Sequence, residues 1–357
     1  MAAVVPPFDT LNDICLGCLV GGMIGDAAGA TLEFSSPGDL TDENIMHAMT
    51  MPGGGKLNVG PGQVTDDGEL MMSLAAALTA TDREPLTEFP LIRVSKAYAD
   101  WHRSFPFDCG GTCGRAFGFA KDTQNMMDNA LRYNQLSEAN GALMRFAPLS
   151  CWAASLGMSP DQAAEVARKD ARLSHPSQVC QDANAVACVA LTHLLCHPKD
   201  IAGAVQSARS VALMDEHHKV RDWLELGRKH GKDVHSFRAY LPECRINVGH
   251  VKHAIVLIFA LLHLRPVLSF ESAIFEVLRM GGDTDTNACI CGYFMGAFHG
   301  FCEGVPRSMW EPVLRFDCTE VRYNPTMLTG YERPTAFKNL NVVSMARKLS
   351  RSPMMTA

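Results

Sequence analysis

Two short acidic clusters stand far apart in the chain: Thr65-Asp66-Asp67 and Gly281-Gly282-Asp283-Thr284-Asp285-Thr286. Each packs carboxylates and hydroxyls into a few residues with almost no positive charge beside them. Carboxylates forced together repel unless a cation neutralises them. Carboxylate and hydroxyl oxygens are hard ligands, which suit Mg²⁺, Mn²⁺ or Ca²⁺ rather than zinc. If folding joins the clusters, four carboxylates and two threonine hydroxyls converge. That is enough oxygen for a two-metal site, whose ions sit about 3.5–4 Å apart. Taken singly, each cluster also reads as a helix cap or a turn.

Helices must position these residues. Apolar spacing near 3.6 dominates the chain and alternating strand patterns are scarce. The spacing predicts helices over residues 11–29, 69–79, 177–196, 201–214, 253–264, 269–280 and 285–301. A capping box, Ser159-Pro160-Asp161-Gln162, opens another to about residue 169. The reading is all-α, with ten or more helices and no sheet. The first helix is rich in glycine and alanine in its C-terminal half, which permits close backbone packing. Gly281-Gly282 reads as a C-terminal cap of the helix before it. Residues 35–64 hold Pro52-Gly53-Gly54-Gly55-Lys56 and Gly60-Pro61-Gly62 and read as an irregular lid or binding loop. They do not form a phosphate P-loop, because Leu57 stands where Ser or Thr is required.

The chain has 357 residues, 47% hydrophobic and 20% charged, as expected of a soluble globular protein with a large core. No linker divides it, so one domain is expected over residues 1–345, followed by a disordered basic tail over 346–357 containing Arg347, Lys348 and Arg351. The net charge of −6 argues against nucleic acid as the main partner but not against a small anionic ligand. The first ten residues lack the features of a signal peptide. The longest apolar run, 254–264, is too short to span a bilayer, so no membrane is expected. Most of the thirteen cysteines, such as Cys180, Cys188, Cys196, Cys289 and Cys291, lie in apolar helical context. They read as small core hydrophobes in a reducing, cytoplasmic compartment. Cys15-Leu16-Gly17-Cys18 lies within a helical pattern with no strand before it, which disfavours a redox motif. His193 and His197 share a helix face but lack the glutamate of a His-Glu-x-x-His zinc site.

Six motifs in order resemble those of the ADP-ribosylglycohydrolase family. They are Gly25-Asp26-Ala27-Ala28-Gly29-Ala30-Thr31-Leu32-Glu33-Phe34, Gly62-Gln63-Val64-Thr65-Asp66-Asp67, Phe107-Asp108-Cys109-Gly110-Gly111-Thr112, Asn140-Gly141-Ala142-Leu143-Met144-Arg145, Ser174-His175-Pro176 and the run 281–286. The resemblance is strongest to the dinitrogenase-reductase-activating and ADP-ribosylarginine hydrolase branch. It implies an orthogonal multi-helix bundle with a binuclear Mg²⁺ or Mn²⁺ site in a cleft. Thr65, Asp66, Asp67, Asp283, Asp285 and Thr286 carry over as metal ligands, and Asp283 also as a catalytic residue. Glu33 and Asp108 become catalytic carboxylates near the anomeric carbon of the distal ribose. Asn140, Gly141, Ala142, His175, Gly110, Gly111 and Gly282 become substrate-binding residues. Two departures stand out. Gly68 replaces a frequent Thr, and Ser174 replaces a Thr in an element that here lacks its second histidine.

The function so implied is metal-dependent removal of ADP-ribose from a modified protein side chain. Arginine is favoured because of the Asp108 element. The partners are then an ADP-ribosylated protein and ADP-ribose as product, with the enzyme a monomer. The alternatives are a hydrolase of ADP-ribosylserine or O-acetyl-ADP-ribose, and a retired relative that keeps the fold for binding or structure. The aspartates alone also allow a metal-dependent phosphoesterase, which the absence of α/β periodicity disfavours.

Overall fold

The computed structural model describes residues 8–79, 88–213, 218–321 and 330–351. Among them the secondary structure is helical, and β pairing is limited to two isolated bridges, Gly54 with Val59 and Ala139 with His250. The all-α expectation is therefore met.

Two helices form the axis of the molecule: Phe8–Ala30 and Thr284–His299. They pack closely because glycine recurs every fourth residue on one face of the first, at 17, 21, 25 and 29. A Cβ at Gly17 would meet the Gly296 carbonyl at 2.5 Å, and one at Gly21 the Gly292 carbonyl at 2.5 Å. At Gly25 it would meet the Ala288 carbonyl at 2.0 Å. Backbone thus lies on backbone along the whole pair, and the C-terminal end of one helix is held against the acidic start of the other. Thr284 Oγ1 donates to the Gly29 carbonyl at 2.8 Å and closes that end.

Around this pair sit Asp66–Leu78 with Leu91–Arg103, Ala147–Ser155 with Gln178–Cys196, and Val251–His263 with Lys219–His230. Asp9–Ala30 and Gln178–Cys196 are long and apolar enough to cross a membrane by length and composition alone. Their apolar windows are 89% and 94% buried inside the protein, as core helices are. Ser159 caps Pro160–Ala171 in the expected box, with Gln162 reaching back to the Ser159 amide at 2.9 Å. The helix expected over 201–214 ends at Ala212, and Met214 lies outside the described residues. All thirteen cysteines are free.

Two expectations are corrected. The tail expected to be disordered from residue 346 is the second half of a helix, Asn341–Leu349. Its Val342, Ala346 and Leu349 are buried against Phe8–Ala30, Asp66–Leu78 and Ala147–Ser155. Three apolar residues at spacings of four and three suffice for one buried stripe. Residues 352–357 of the expected tail lie outside the described residues. Residues 35–64 are also not one irregular loop, since they contain the helix Asp42–Ala48, capped by Thr41. The glycines at 53–55 take positive φ and wrap the end of the first helix, where Lys56 Nζ donates to the Phe34 carbonyl.

Candidate active site

Folding joins the two acidic clusters. Thr65 is the N-cap of Asp66–Leu78, which puts Asp66 and Asp67 in the first turn. There the N-terminal end of the helix dipole favours negative charge. Asp283 occupies the N-cap position of Thr284–His299 without a side-chain capping bond, which puts Asp285 and Thr286 in the first turn. The two helix starts meet: Thr286 Oγ1 donates to Asp67 Oδ2 at 3.3 Å, and Thr65 Oγ1 lies 3.4 Å from the same oxygen. Asp26, inside the first helix, braces the junction from below. Its carboxylate accepts from the Thr65 amide at 3.0 Å, the Thr65 hydroxyl at 2.9 Å and the Gly68 amide at 2.9 Å. This accounts for Gly68. A Cβ there would lie 2.7 Å from the Val64 Cβ and 3.0 Å from Asp26 Oδ2.

Above the junction opens a cavity of about 230 Å³. Its acidic lining is Glu33, Asp66, Asp108, Asp283 and Asp285. Oxygens of Glu33, Asp108 and Asp285 lie within 4.8 Å of one another. Asp108 is carried by the segment before Gly111–Phe117. The Gly110 amide fixes that segment by donating to Asp66 Oδ2 at 3.0 Å. Phe107 stacks on Tyr331 with ring centroids 4.2 Å apart. Behind it, Arg333 forms a buried two-point pair with Glu69, each bond 2.8 Å, and donates to the Ser104 carbonyl at 2.8 Å. Across the cavity, Asn140 Nδ2 donates to Asp283 Oδ2 at 2.7 Å. The Asn140 amide donates to the Gly249 carbonyl at 2.9 Å, which ties the wall at 139–141 to the wall at 248–249.

The charges follow from this geometry. Burial pushes the carboxyls of Asp66, Asp67 and Asp285 well above the ordinary carboxylate range, and their neighbours' charges add to it. Burial, then Asp283 and Asp108, push Glu33 up to about 8. Burial raises Asp26 to about 7 even though three hydrogen bonds favour its anion. Asp108 is raised by burial and by Asp283, against a hydrogen bond from the Cys109 amide. No lysine or arginine lines the cavity among the described residues. Asp67 Oδ1 and Glu33 Oε2 are buried without a hydrogen-bond partner. Crowded anionic oxygens, two of them orphaned and none opposed by a side-chain cation, fit hard divalent cations.

Of the residues singled out in the sequence, Glu33, Asp66, Asp108, Gly110, Gly111, Asn140, Gly141, His175, Asp283, Asp285 and Thr286 line this one cavity. Thr65 and Asp67 are buried and joined to it through Thr286. Ala142 and Gly282 depart from expectation, since neither lines the cavity. Ala142 is fully buried, and Gly282 takes a positive φ to pass the Cys244 carbonyl. Sequence reasoning missed Asp26 as a brace, although a lone carboxylate inside an apolar helix was the signal for it. It also missed Gly249, whose positive φ brings backbone close to Asp283. Nothing in the sequence marks that residue.

The sequence model of the ADP-ribosylglycohydrolase family matches residues 8–332. An ADP-ribosyl-[dinitrogen reductase] glycohydrolase of Rhodospirillum rubrum is 26% identical over 292 residues, which cover 82% of this chain and 87% of that protein. An ADP-ribosylarginine hydrolase Tri1 of Serratia proteamaculans (strain 568) is 31% identical over 157 residues, covering 41% of this chain and 38% of that one. A solved chain of an ADP-ribosylglycohydrolase-related protein complex shares the fold, with a TM-score of 0.69, 21% identity and coverage of 96% and 98%.

Proposed function

Because the chain belongs to the ADP-ribosylglycohydrolase family, we propose that its cavity hydrolyses the N-glycosidic bond between ADP-ribose and an arginine side chain of a modified protein, with divalent cations as cofactors. The observation that carries this reading is the meeting of two helix starts, where the Thr65 and Thr286 hydroxyls both reach Asp67 Oδ2 while Asp67 Oδ1 is buried without a partner. Thr65, Asp66, Asp67, Asp283, Asp285 and Thr286 would hold the cations, Mg²⁺ or Mn²⁺. Bound there, the ions would lower the pKa of a water and orient it, together with the ribose hydroxyls.

The chain's own residues do the rest. Asn140 and Gly110 lock the carboxylates of Asp283 and Asp66, so the site needs little reorganisation on binding. The sugar becomes oxocarbenium-like as the bond breaks, and Asp108, a cavity carboxylate left free of the cations, can stabilise that positive charge. Glu33 lines the cavity with its Oε2 unpartnered, so it can exchange a proton with the attacking water. Asp108 stands at the cavity wall, where it can hold a departing guanidinium in its protonated form. Arginine is favoured by that carboxylate and by the likeness to an ADP-ribosylarginine hydrolase.

The test is a panel of ADP-ribosylated peptides that differ only in the linked residue, with and without chelator. Free ADP-ribose should appear fastest from arginine and only with divalent cation. Release of AMP or phosphate would point to phosphoesterase chemistry. No release from any member, with ADP-ribose still bound, would point to a binding protein.

A further inference from the structure

We propose that Arg145 and Ser174 are positioning residues that lock His175 in the tautomer carrying its proton on Nε2, so that the ring offers a fixed N–H donor to an anionic oxygen of the ligand. The ligand half rests on the reading above, in which that oxygen belongs to the pyrophosphate of ADP-ribose.

Arg145 is fully buried and held on every side. Its Nε pairs with Asp170 Oδ2 at 3.1 Å, and its Nη2 donates to the Asp170 carbonyl at 3.1 Å. Tyr98 donates to the other Asp170 oxygen at 2.7 Å, and its ring lies 4.4 Å beneath the guanidinium. This fixes Nη1, which donates to Ser174 Oγ at 2.9 Å and to the Gly141 carbonyl at 3.2 Å. A guanidinium has donors only, so Ser174 Oγ accepts that bond. The hydroxyl proton then needs an acceptor. Among the described residues the one within reach is His175 Nδ1, at 2.8 Å. Nδ1 therefore carries the lone pair, and a neutral imidazole must place its proton on Nε2.

The ring stays neutral for an independent reason. Burial, with Arg145 and Arg115 nearby, pushes its pKa down to about 3. Nε2 is buried, has no partner, and belongs to a side chain that lines the cavity. A Cβ on Gly141 would lie 3.1 Å from the ring's Cε1 and 3.4 Å from Nε2, so a side chain at 141 would crowd this edge of the ring. An unpaired buried N–H is costly until an acceptor arrives. The relay uses only the hydroxyl at position 174, so serine suffices for it and threonine would serve equally.

The experiment uses the full chain with Mg²⁺ present and ADP-ribose as the probe. Histidine is labelled with ¹⁵N, and the His175 signals are assigned by difference from His175→Gln. The wild type should show a lone-pair Nδ1 and a protonated Nε2. Ser174→Ala should lose that pattern and weaken ADP-ribose binding about tenfold, the size of one hydrogen bond to a charged group. Ser174→Thr should restore both, because threonine returns the hydroxyl; a merely structural defect in Ser174→Ala would weaken binding and leave the proton on Nε2. A protonated Nδ1 in the wild type overturns the relay. Unchanged affinity in Ser174→Ala overturns its role in binding while leaving the hydrolase reading intact. A wild type that binds no ADP-ribose overturns the ligand assignment together with that reading, and the nitrogen signals still decide the tautomer.

Discussion

Gly29 lies against the backbone of Asp285: a Cβ at position 29 would fall 2.4 Å from the Asp285 Cα and 2.5 Å from its amide nitrogen. The contact sets how closely the end of the first helix approaches the start of Thr284–His299. Glu33 and Asp285, which face each other in the cavity, depend on that spacing. Gly29→Ala should force the helices apart and cost about 1–3 kcal/mol, as overpacking in a dense core does. It should also slow ADP-ribose release, because both carboxylates move. Gly38→Ala is the control, since a Cβ there meets nothing within 4 Å. Urea unfolding of the two variants checks the contrast, and equal stability would count against the packing argument.

The helical plan was legible because core helices either carry an apolar stripe at helical period, as Phe270–Met280 does, or are apolar and buried nearly all round, as Gln178–Cys196 is. Helix starts were less so. Asp66 and Asp67 read in sequence as a cap or turn ahead of a helix over 69–79, yet they form its first turn, whose dipole suits their charge. Asn341–Leu349 escaped because its three apolar anchors sit among basic and polar residues near the chain end. The ligand types were legible as local motifs. What could not be read was their convergence: Asp26 is far in sequence from the Thr65 it braces, and Gly249 from the Asn140 it holds. Such contacts are set by the tertiary path alone.

The C-terminal helix should stabilise the protein. Leu349 is buried against the first helix and its neighbours. Leu349→Ala should cost about 2–4 kcal/mol, the usual range for a leucine removed from a core. A loss below about 0.5 kcal/mol, typical of a surface change, would show that this segment is not part of the core.

Stripped of divalent ions, the protein should become less stable as pH rises. Glu33 is raised from 4.5 to about 8 and Asp26 from 3.8 to about 7. Between the unfolded and folded values the folded state holds a proton that the unfolded state has lost. Folding then takes up a proton, so stability is greatest below the unfolded values and falls until the pH passes the folded ones. The melting temperature in chelator should therefore drop between about pH 5 and pH 8. Mg²⁺ or Mn²⁺ should flatten the slope by taking the proton's place. A chelated protein with a flat profile over that window would contradict the crowding of anions described for the cavity.

Asp283→Ala should lose divalent binding and turnover with the fold kept. Asp283 lines an open cavity, so its removal relieves repulsion as well as deleting a ligand. The metal-free variant should melt within about 2 °C of the metal-free parent, as a change without core disruption does. Adding Mg²⁺ should then stabilise the parent and leave the variant unmoved. Isothermal titration with Mg²⁺ reads the binding loss directly, and an unchanged dissociation constant would remove Asp283 from the ligand set.

Asp108 decides the linkage. Its carboxyl lies within 4.8 Å of Glu33 and Asp285 oxygens, and the Gly110 amide bonded to Asp66 holds its segment in place. Expelling guanidine requires that the leaving group stay protonated, and a carboxylate beside it holds that charge. A seryl leaving group carries no such charge, so the same carboxylate helps it less. ADP-ribose release should be faster from ADP-ribosyl-arginine than from ADP-ribosyl-serine on matched peptides. Asp108→Asn should slow the arginine reaction by about 10²-fold or more, a common size for general acid–base assistance. It should leave ADP-ribose affinity within about threefold, since the amide keeps the shape of the site and one lost charge contact is worth well under 1 kcal/mol when solvent can enter. A wild type that prefers serine, or an Asp108→Asn enzyme as fast as its parent on arginine, would overturn the assignment to arginine and leave the family untouched.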